Sequence, residues 1–579
     1  MAGVGYQNAL HPTPSVGFAY DPYFPRITTM TDGTGTTTYS YVSVGALGAL
    51  SLQQESGPLP GGAIAYAYDA LGRVVTRTVG GAPAESFQYD AIGRLAGHND
   101  ALGTFALGYL GQTGQLALRR LTGGSVATAW SYLSNTGDRR LAAIANEHTG
   151  ERQFNYTTTP EDLITQIKEE KSGSLRQTWN IGYDNEYRLL SADSTSEGKY
   201  GYALDPTGNI SAFGTTAAAY NNVNELTKVG TQPYVSDADG ELVADGARTY
   251  AWDADNRLVG ITYTAQPGKQ TSFAYDGQDR RVAITTTVSG IATTTNYIWC
   301  GQRICQSRNG TSAVNRLYYD EGETIPASKA LFYYGPDQLG SVRDVYATSP
   351  LFSMVQAYDY DPYGNPTVTP ATGPLTDFRY AGMLYHADSG LYLTQYRAYD
   401  PRTARWLSRD PLAEVNGARM AMDLSRSAHQ PSSLMLAVSD HYSPAMSLYT
   451  YAINNPLNFT DPRGLDPRDS FLGAVLWIVS NILGIGPATQ NGPPADFPVP
   501  APPSPPAPTP TPVSPPTGGP GGGGGAGGGG GGAGGGASCR GGGCGELEQA
   551  TQEILESIEC FINSEFLFFP PLPVSGPAS

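Results

Sequence analysis

The sequence predicts an all-β fold, a ribbon of tandem β-hairpins, and three observations predict it. Charged residues make up 15% of the 579, against about 25% in an average globular domain, while Gly (72) and Tyr (37, against 17 Phe) are in excess. A short aromatic unit closed by a turn recurs along the chain. Every Tyr lies at or before Tyr451, beyond which the composition changes abruptly.

The recurring unit is aromatic-x-Tyr-Asp-x-x-Gly-Arg-aliphatic, as in AYAYDALGRV (65–74) and SFQYDAIGRL (86–95). Related units centre on Tyr183-Asp184, Trp252-Asp253 and Tyr275-Asp276, with weaker copies at Tyr109, Tyr132, Tyr156, Tyr202 and Tyr220. In the first two copies the unit residues are Tyr68, Asp69, Gly72 and Arg73, then Tyr89, Asp90, Gly93 and Arg94. Aromatic residues two apart share one face of a strand. The Asp opens a turn by accepting backbone N–H bonds, the Gly supplies positive φ, and the Arg starts the returning strand. One unit is thus the corner of one hairpin. A lone hairpin is marginal in water, but many in tandem bury their aromatic faces and satisfy each other's edges in a twisted ribbon. A propeller is disfavoured because blades repeat every ~40–50 residues, about twice this spacing.

The other composition features set limits. A net charge of −17 argues against nucleic acid or an anionic membrane as the main partner. Five Cys do not make a disulfide scaffold; Cys300 and Cys305, either side of a tight turn, could face each other across a hairpin, with unpaired strand cysteines the safer expectation. The start, MAGVGYQNAL, has neither a basic nor an apolar signal region, so export by a specialised route after a cytoplasmic stage is expected. Residues 487–545 hold 21 Gly and 15 Pro and cannot pack a core.

The repeats lead into YYGPDQLGSVRDV (333–345), YDYDPYGN (358–365), FRYAGMLYHADSGLYLTQYRAYDPRTARWLSRDPL (378–412) and LYTYAINNPLNFTDPRGL (448–465). On these residues the chain resembles the RHS/YD-repeat proteins with an RHS repeat-associated core, the polymorphic-toxin family that includes the C component of Tc toxins. The resemblance covers roughly four fifths of the chain. It implies a hollow β-shell around the protein's own variable C-terminal segment. It further makes delivery or secretion-system proteins and an immunity protein candidate partners; no cofactor is expected, since the chain carries no phosphate-cradling Gly loop. No delivery or anchoring segment is expected ahead of Phe18, and the repeats are fewer than such shells generally use, so a shortened shell or one piece of a larger system is expected. The expected division is a YD-repeat shell (1–332), an RHS-associated core (333–465) with an insertion at about 414–444, an apolar segment (466–486), a Pro/Gly-rich linker (487–545), and an amphipathic helix with the C-terminal tail (546–579).

The resemblance also implies self-cleavage. The family core carries two Asp-Pro-x-Gly elements about eighteen residues apart and is cut one residue after the second. Asp461-Pro462-Arg463-Gly464 matches the second, which puts the cut after Leu465 and makes Asp466 the new N-terminus. The first maps to Asp410-Pro411-Leu412-Ala413, where Ala413 replaces Gly and 47 residues separate it from Asp461. Asp410 and Asp461 are the expected aspartic-protease-like pair, since two close carboxylates cannot both ionise and divide acid and base roles between them. Arg409 is a candidate to stabilise or orient Asp410. Asp-Pro is also an ordinary turn opener, as at Asp361-Pro362 and Asp400-Pro401.

Residues 466–579 contain no His or Lys, two Arg and nine acids, which excludes an ordinary nuclease pattern. The apolar run 471–486 is shorter than the ~20 residues of a spanning helix and is expected to plug the shell, membrane contact after release being the alternative. Cys539, Cys544 and Cys560 fall one ligand short of a structural zinc site, and no metal is expected. Gln338 stands where the family often has His. A cell-surface or extracellular YD-repeat protein that binds glycans or cells without proteolysis is the alternative function.

Overall fold

The protein is described by a computed structural model covering residues 3–7, 9–124, 126–147, 152–347, 353–369, 376–411 and 447–465. Ala413, the 414–444 insertion, Asp466 and all features expected in the tail lie outside these residues. The described chain is almost entirely antiparallel strand, interrupted by three single-turn 3₁₀ helices at Asn135–Gly137, Tyr380–Gly382 and Ala452–Asn454. Twenty-two strands, from Gly3–Val4 to Gln232–Pro233, form one sheet, and fourteen, from Val235–Ser236 to Pro366–Thr369, form a second. Four short strands between Leu384–His386 and Arg405–Trp406 form a third. Within each sheet the strands pair with their neighbours in the chain, so the fold is the expected hairpin ribbon. The strand Ala330–Pro336 runs across position 332, so repeats and core share one sheet.

The corners that open on Tyr-Asp share one hydrogen-bond pattern. Asp69 Oδ1 accepts the amides of Leu71 (2.9 Å) and Arg73 (3.0 Å), Oδ2 accepts Arg73 Nε (2.7 Å), and Gly72 takes φ +76°. Asp90 with Arg94 and Asp184 with Arg188 repeat these contacts. A register shift falls at the Tyr of each unit, between Ala67 and Tyr68, Gln88 and Tyr89, and Ala274 and Tyr275. This bulge aims the ring back along the ribbon. The hydroxyl then donates to the preceding hairpin: Tyr68 to Leu52 O (2.6 Å), Tyr89 to Val74 O (2.7 Å), Tyr109 to Leu95 O (2.8 Å) and Tyr275 to Leu258 O (2.8 Å). The Arg of one corner lies over the Tyr of the next, Arg73 on Tyr89 at 4.4 Å and Arg94 on Tyr109 at 4.3 Å. The excess of Tyr over Phe therefore has a cause the sequence did not reveal: the hydroxyl links successive hairpins.

The two large sheets meet through buried side chains. Arg152 is held between Glu169 of its own sheet and Asp344 and Asp359 of the other. Arg280 pairs with Glu55 at 2.7 Å, and Tyr333 donates to Leu102 O at 2.8 Å. The third sheet is packed around Tyr380, Tyr392, Tyr399, Trp406 and Tyr451, all almost fully buried.

The expectation of unpaired cysteines at 300 and 305 is overturned, because the two form a disulfide with Cα atoms 5.8 Å apart. The hairpin Ile291–Cys300 and Arg303–Asn309 pairs Trp299 with Ile304 but Ile298 with Gln306. Arg303 faces Cys300 across the turn, so alternation already places Cys305, two residues on, on the Cys300 side, and the bulge leaves Cys305 as the extra residue next to that pair.

Candidate functional site: an arginine between two aspartates

The described residues close on a corner that resembles the repeat corner and departs from it. Asp461 Oδ1 accepts the amides of Gly464 (2.8 Å) and Leu465 (2.9 Å), the third and fourth residues on where the repeat uses the second and fourth, and Gly464 takes φ +76° as Gly72 does. In those corners the residue four after the Asp is commonly an Arg that binds Oδ2. Here that residue is Leu465, and Asp461 Oδ2 is bound instead by Arg397 Nη2 at 2.9 Å.

Arg397 lies in the turn between strands Leu391–Leu393 and Ala398–Asp400, where its amide donates to Thr394 Oγ1 at 3.2 Å. Its Nη2 also lies 3.1 Å from Asp410 Oδ2 and donates to Leu465 O at 3.0 Å. Its Nε donates to Gly464 O and its Nη1 to Leu448 O. The guanidinium lies over the Trp406 ring at 4.4 Å. Arg397, Asp410, Asp461 and Leu465 are all buried, with Leu465 and Asp461 at 0% exposure. Burial raises the affinity of the neighbouring Tyr451 hydroxyl for its proton, and the negative Asp461 adds to it. The planar fork of Arg suits this role, since Lys offers no such spread of donors.

Asp410, Asp461 and Leu465, predicted from the motif, thus converge on one side chain. The long separation between the aspartates is spanned because the chain on either side of the insertion is pinned together. Arg405 bridges Thr450, and Trp406 N donates to Tyr449 O at 3.0 Å. Arg409, the predicted orienting residue, binds Glu225 (3.0 Å) and the Tyr449 hydroxyl (3.2 Å). Arg397 was missed, although the missing Arg four residues after Asp461 was the signal that another cation must supply Oδ2. Gln338 joins Tyr156 OH (3.0 Å) to Leu457 O (3.2 Å), a structural link at that position.

The Teneurin YD-shell family model matches residues 135–457. A tRNA3(Ser)-specific nuclease WapA of Bacillus spizizenii is 28% identical over 43% of this chain and 10% of its own length. Double-stranded DNA deaminase toxin A of Burkholderia cenocepacia is 24% identical over 51% of this chain and 21% of its own, and toxin subunit YenC2 of Yersinia entomophaga 28% over 32% and 16%. The chain thus spans between 10% and 21% of the length of these relatives. A crystal structure of TcdB2-TccC3-TEV aligns with a TM-score of 0.54 at 18% identity, covering 76% of this chain and 24% of that one, which shows the same fold. The chain belongs to the Teneurin YD-shell family, as an RHS/YD-repeat protein whose tandem hairpins build a β-shell.

Proposed function

We propose that the chain is the encapsulating shell of a polymorphic toxin and that it cuts itself once, after Leu465, to leave residues 466–579 as separate cargo. The observation that carries this reading is the single guanidinium nitrogen shared by Asp410, Asp461 and the Leu465 carbonyl oxygen. Asp461 orients the scissile carbonyl through the Gly464 and Leu465 amides. Arg397, already donating to that carbonyl, stabilises the negative charge that forms on its oxygen. Water attacks the Leu465 carbonyl carbon and yields a proton to the Asp410 carboxylate. Asp410 returns that proton to the Asp466 nitrogen as the C–N bond breaks, leaving a Leu465 carboxyl group and a free amine. Arg397 thereby takes the polarising part that the sequence assigned to a second, protonated acid.

Toxin names among the relatives support the shell role, and so do the tyrosine hydroxyls engaged inside the wall, which are not displayed for glycan contact. On this reading the chain is exported, its C-terminal segment is its first partner, and delivery and immunity proteins complete the system. Mass spectrometry of the purified protein tests it. A C-terminal fragment of 114 residues starting at Asp466 is expected from wild type, with Asp410→Asn and Asp461→Asn intact. An intact wild-type chain overturns the self-cleavage.

A further inference from the structure

We propose that His98, Asp100 and Glu321 form a binding site for one divalent transition-metal ion of the zinc class, joining the two large sheets. His98 and Asp100 end the strand Leu95–Asp100 in the first sheet, and Glu321 occupies the tight turn between Val314–Tyr319 and Gly322–Ile325 in the second. One donor atom from each lies within 4.8 Å of the other two. His98 Nδ1 faces both acids, Glu321 Oε2 at 3.2 Å and Asp100 Oδ2 at 3.6 Å. Zinc bonds of about 2.0–2.2 Å in a tetrahedral site put two ligand atoms about 3.4 Å apart, so both separations suit a shared ion.

Two further observations point to an ion. Asp100 Oδ1 accepts the amides of Leu102 (2.7 Å) and Gly103 (3.2 Å), but Oδ2 is buried without a hydrogen-bond partner, on a side chain with 0% exposure. A buried polar atom without a partner is uncommon and calls for a ligand. The far side of the ring is arranged as the outer shell of a metal site. His98 Nε2 lies 3.2 Å from Glu85 Oε2, and Glu85 is clasped by Arg77 through Nε at 2.9 Å and Nη2 at 2.6 Å. A proton on Nε2 directed at a carboxylate leaves the Nδ1 lone pair for the metal, the usual carboxylate–histidine–metal relay. The Phe87 ring stacks on His98 at 4.9 Å and fixes its plane.

Charge gives the same result. Glu85 is balanced by Arg77, which leaves two carboxylates and one imidazole in an apolar surround that includes Leu102, Phe105, Tyr319 and Tyr333. A divalent cation placed between His98 Nδ1, Asp100 Oδ2 and Glu321 Oε2 neutralises the two carboxylates. The donor set of one imidazole and two carboxylates suits Zn2+ or its first-row neighbours better than Mg2+, which prefers oxygen alone.

The test is zinc titration by calorimetry of the chelator-stripped full chain, in a background with Cys539, Cys544 and Cys560 changed to Ser so that tail thiols contribute nothing. One equivalent is expected to bind with micromolar or tighter affinity and to raise the melting temperature, while Mg2+ does neither. His98→Ala and Glu321→Gln are expected to weaken binding at least 100-fold, and Glu85→Gln about tenfold. Asp100→Asn, isosteric and keeping the Oδ1 turn contacts, decides the matter if the other variants fail to fold. Absence of stoichiometric binding by the parent, or equal binding by the foldable ligand variants, overturns the site.

Discussion

Arg397 and Asp461 are joined twice, once by the 2.9 Å contact between Nη2 and Oδ2, and once through the Gly464–Leu465 backbone. Asp461 Oδ1 gathers the two amides of that backbone while Arg397 donates to its two carbonyls. The pair therefore grips the bond before the proposed cut from both its donor and its acceptor sides. Replacing Arg397 by Lys keeps one positive charge but not the fork. Cleavage in Arg397→Lys is expected to slow by about 10²–10³, the usual effect of losing a transition-state hydrogen-bond donor. Arg397→Met strands two buried carboxylates and is expected to cost about 3–5 kcal/mol in stability. Denaturant unfolding and the rate of fragment appearance separate the two effects. A Lys variant that cuts at the wild-type rate rules out this role for Arg397.

Gly464 is needed for a reason of space as well as conformation. Its φ is +76°, and an added Cβ would lie 2.4 Å from Thr394 Oγ1 and 3.1 Å from Arg397 Cβ. Gly464→Ala is expected to cost about 1–3 kcal/mol and to displace the Leu465 carbonyl, halting fragment release. Wild-type cleavage in this variant would mean that the corner tolerates a shift the geometry does not allow.

The hydroxyl linkage predicts an effect of removing one oxygen. Tyr275→Phe removes the donor to Leu258 O in a buried setting and is expected to cost about 1–2 kcal/mol, with no change in strand content by circular dichroism. Tyr23→Phe, at an exposed ring, is expected to change stability by less than about 0.5 kcal/mol. Equal effects at the two positions would remove the hydroxyl as a cause of the Tyr excess.

His386 gives the fold a pH dependence of known sign. It is buried against Phe273, its Nδ1 lies 2.7 Å from Ser389 Oγ, and burial lowers it to about 4, with Asp388 opposing the shift. A folded-state value below the ordinary ~6.5 means the unfolded chain takes up the proton first. The contribution of His386 is therefore full above pH 6.5 and lost as pH falls towards 4, at most about 3 kcal/mol. His386→Gln is expected to flatten the stability profile between pH 4 and 6.5 relative to wild type. Parallel profiles would contradict the assignment.

The Cys300–Cys305 bridge closes a very short loop, so the chain-entropy account gives it about 2 kcal/mol. Cys300→Ser with Cys305→Ser is expected to lower the unfolding free energy by that amount. The same loss should follow mild reductant in wild type and be absent in the double variant, as thiol counting and denaturant titration would show.

The all-β class, the hairpin period, the corner chemistry and the Asp461 turn were legible in the sequence because each is decided within about five residues. An Asp that accepts nearby amides, a residue that tolerates positive φ and a following Arg define a corner without help from the rest of the chain. The tertiary structure alone decided which distant groups meet. Arg397 reaches Asp461 because Leu465 leaves Oδ2 to be served from elsewhere, and Asp410 joins them because the Arg405–Thr450 bridge closes off the insertion. The register of one hairpin set Cys305 beside Cys300 and closed a disulfide, and sheet stacking brought His98 to Glu321 across 223 residues. Register shifts and the stacking of one sheet on another depend on the summed geometry of many hairpins, and no local pattern of residues carries that sum.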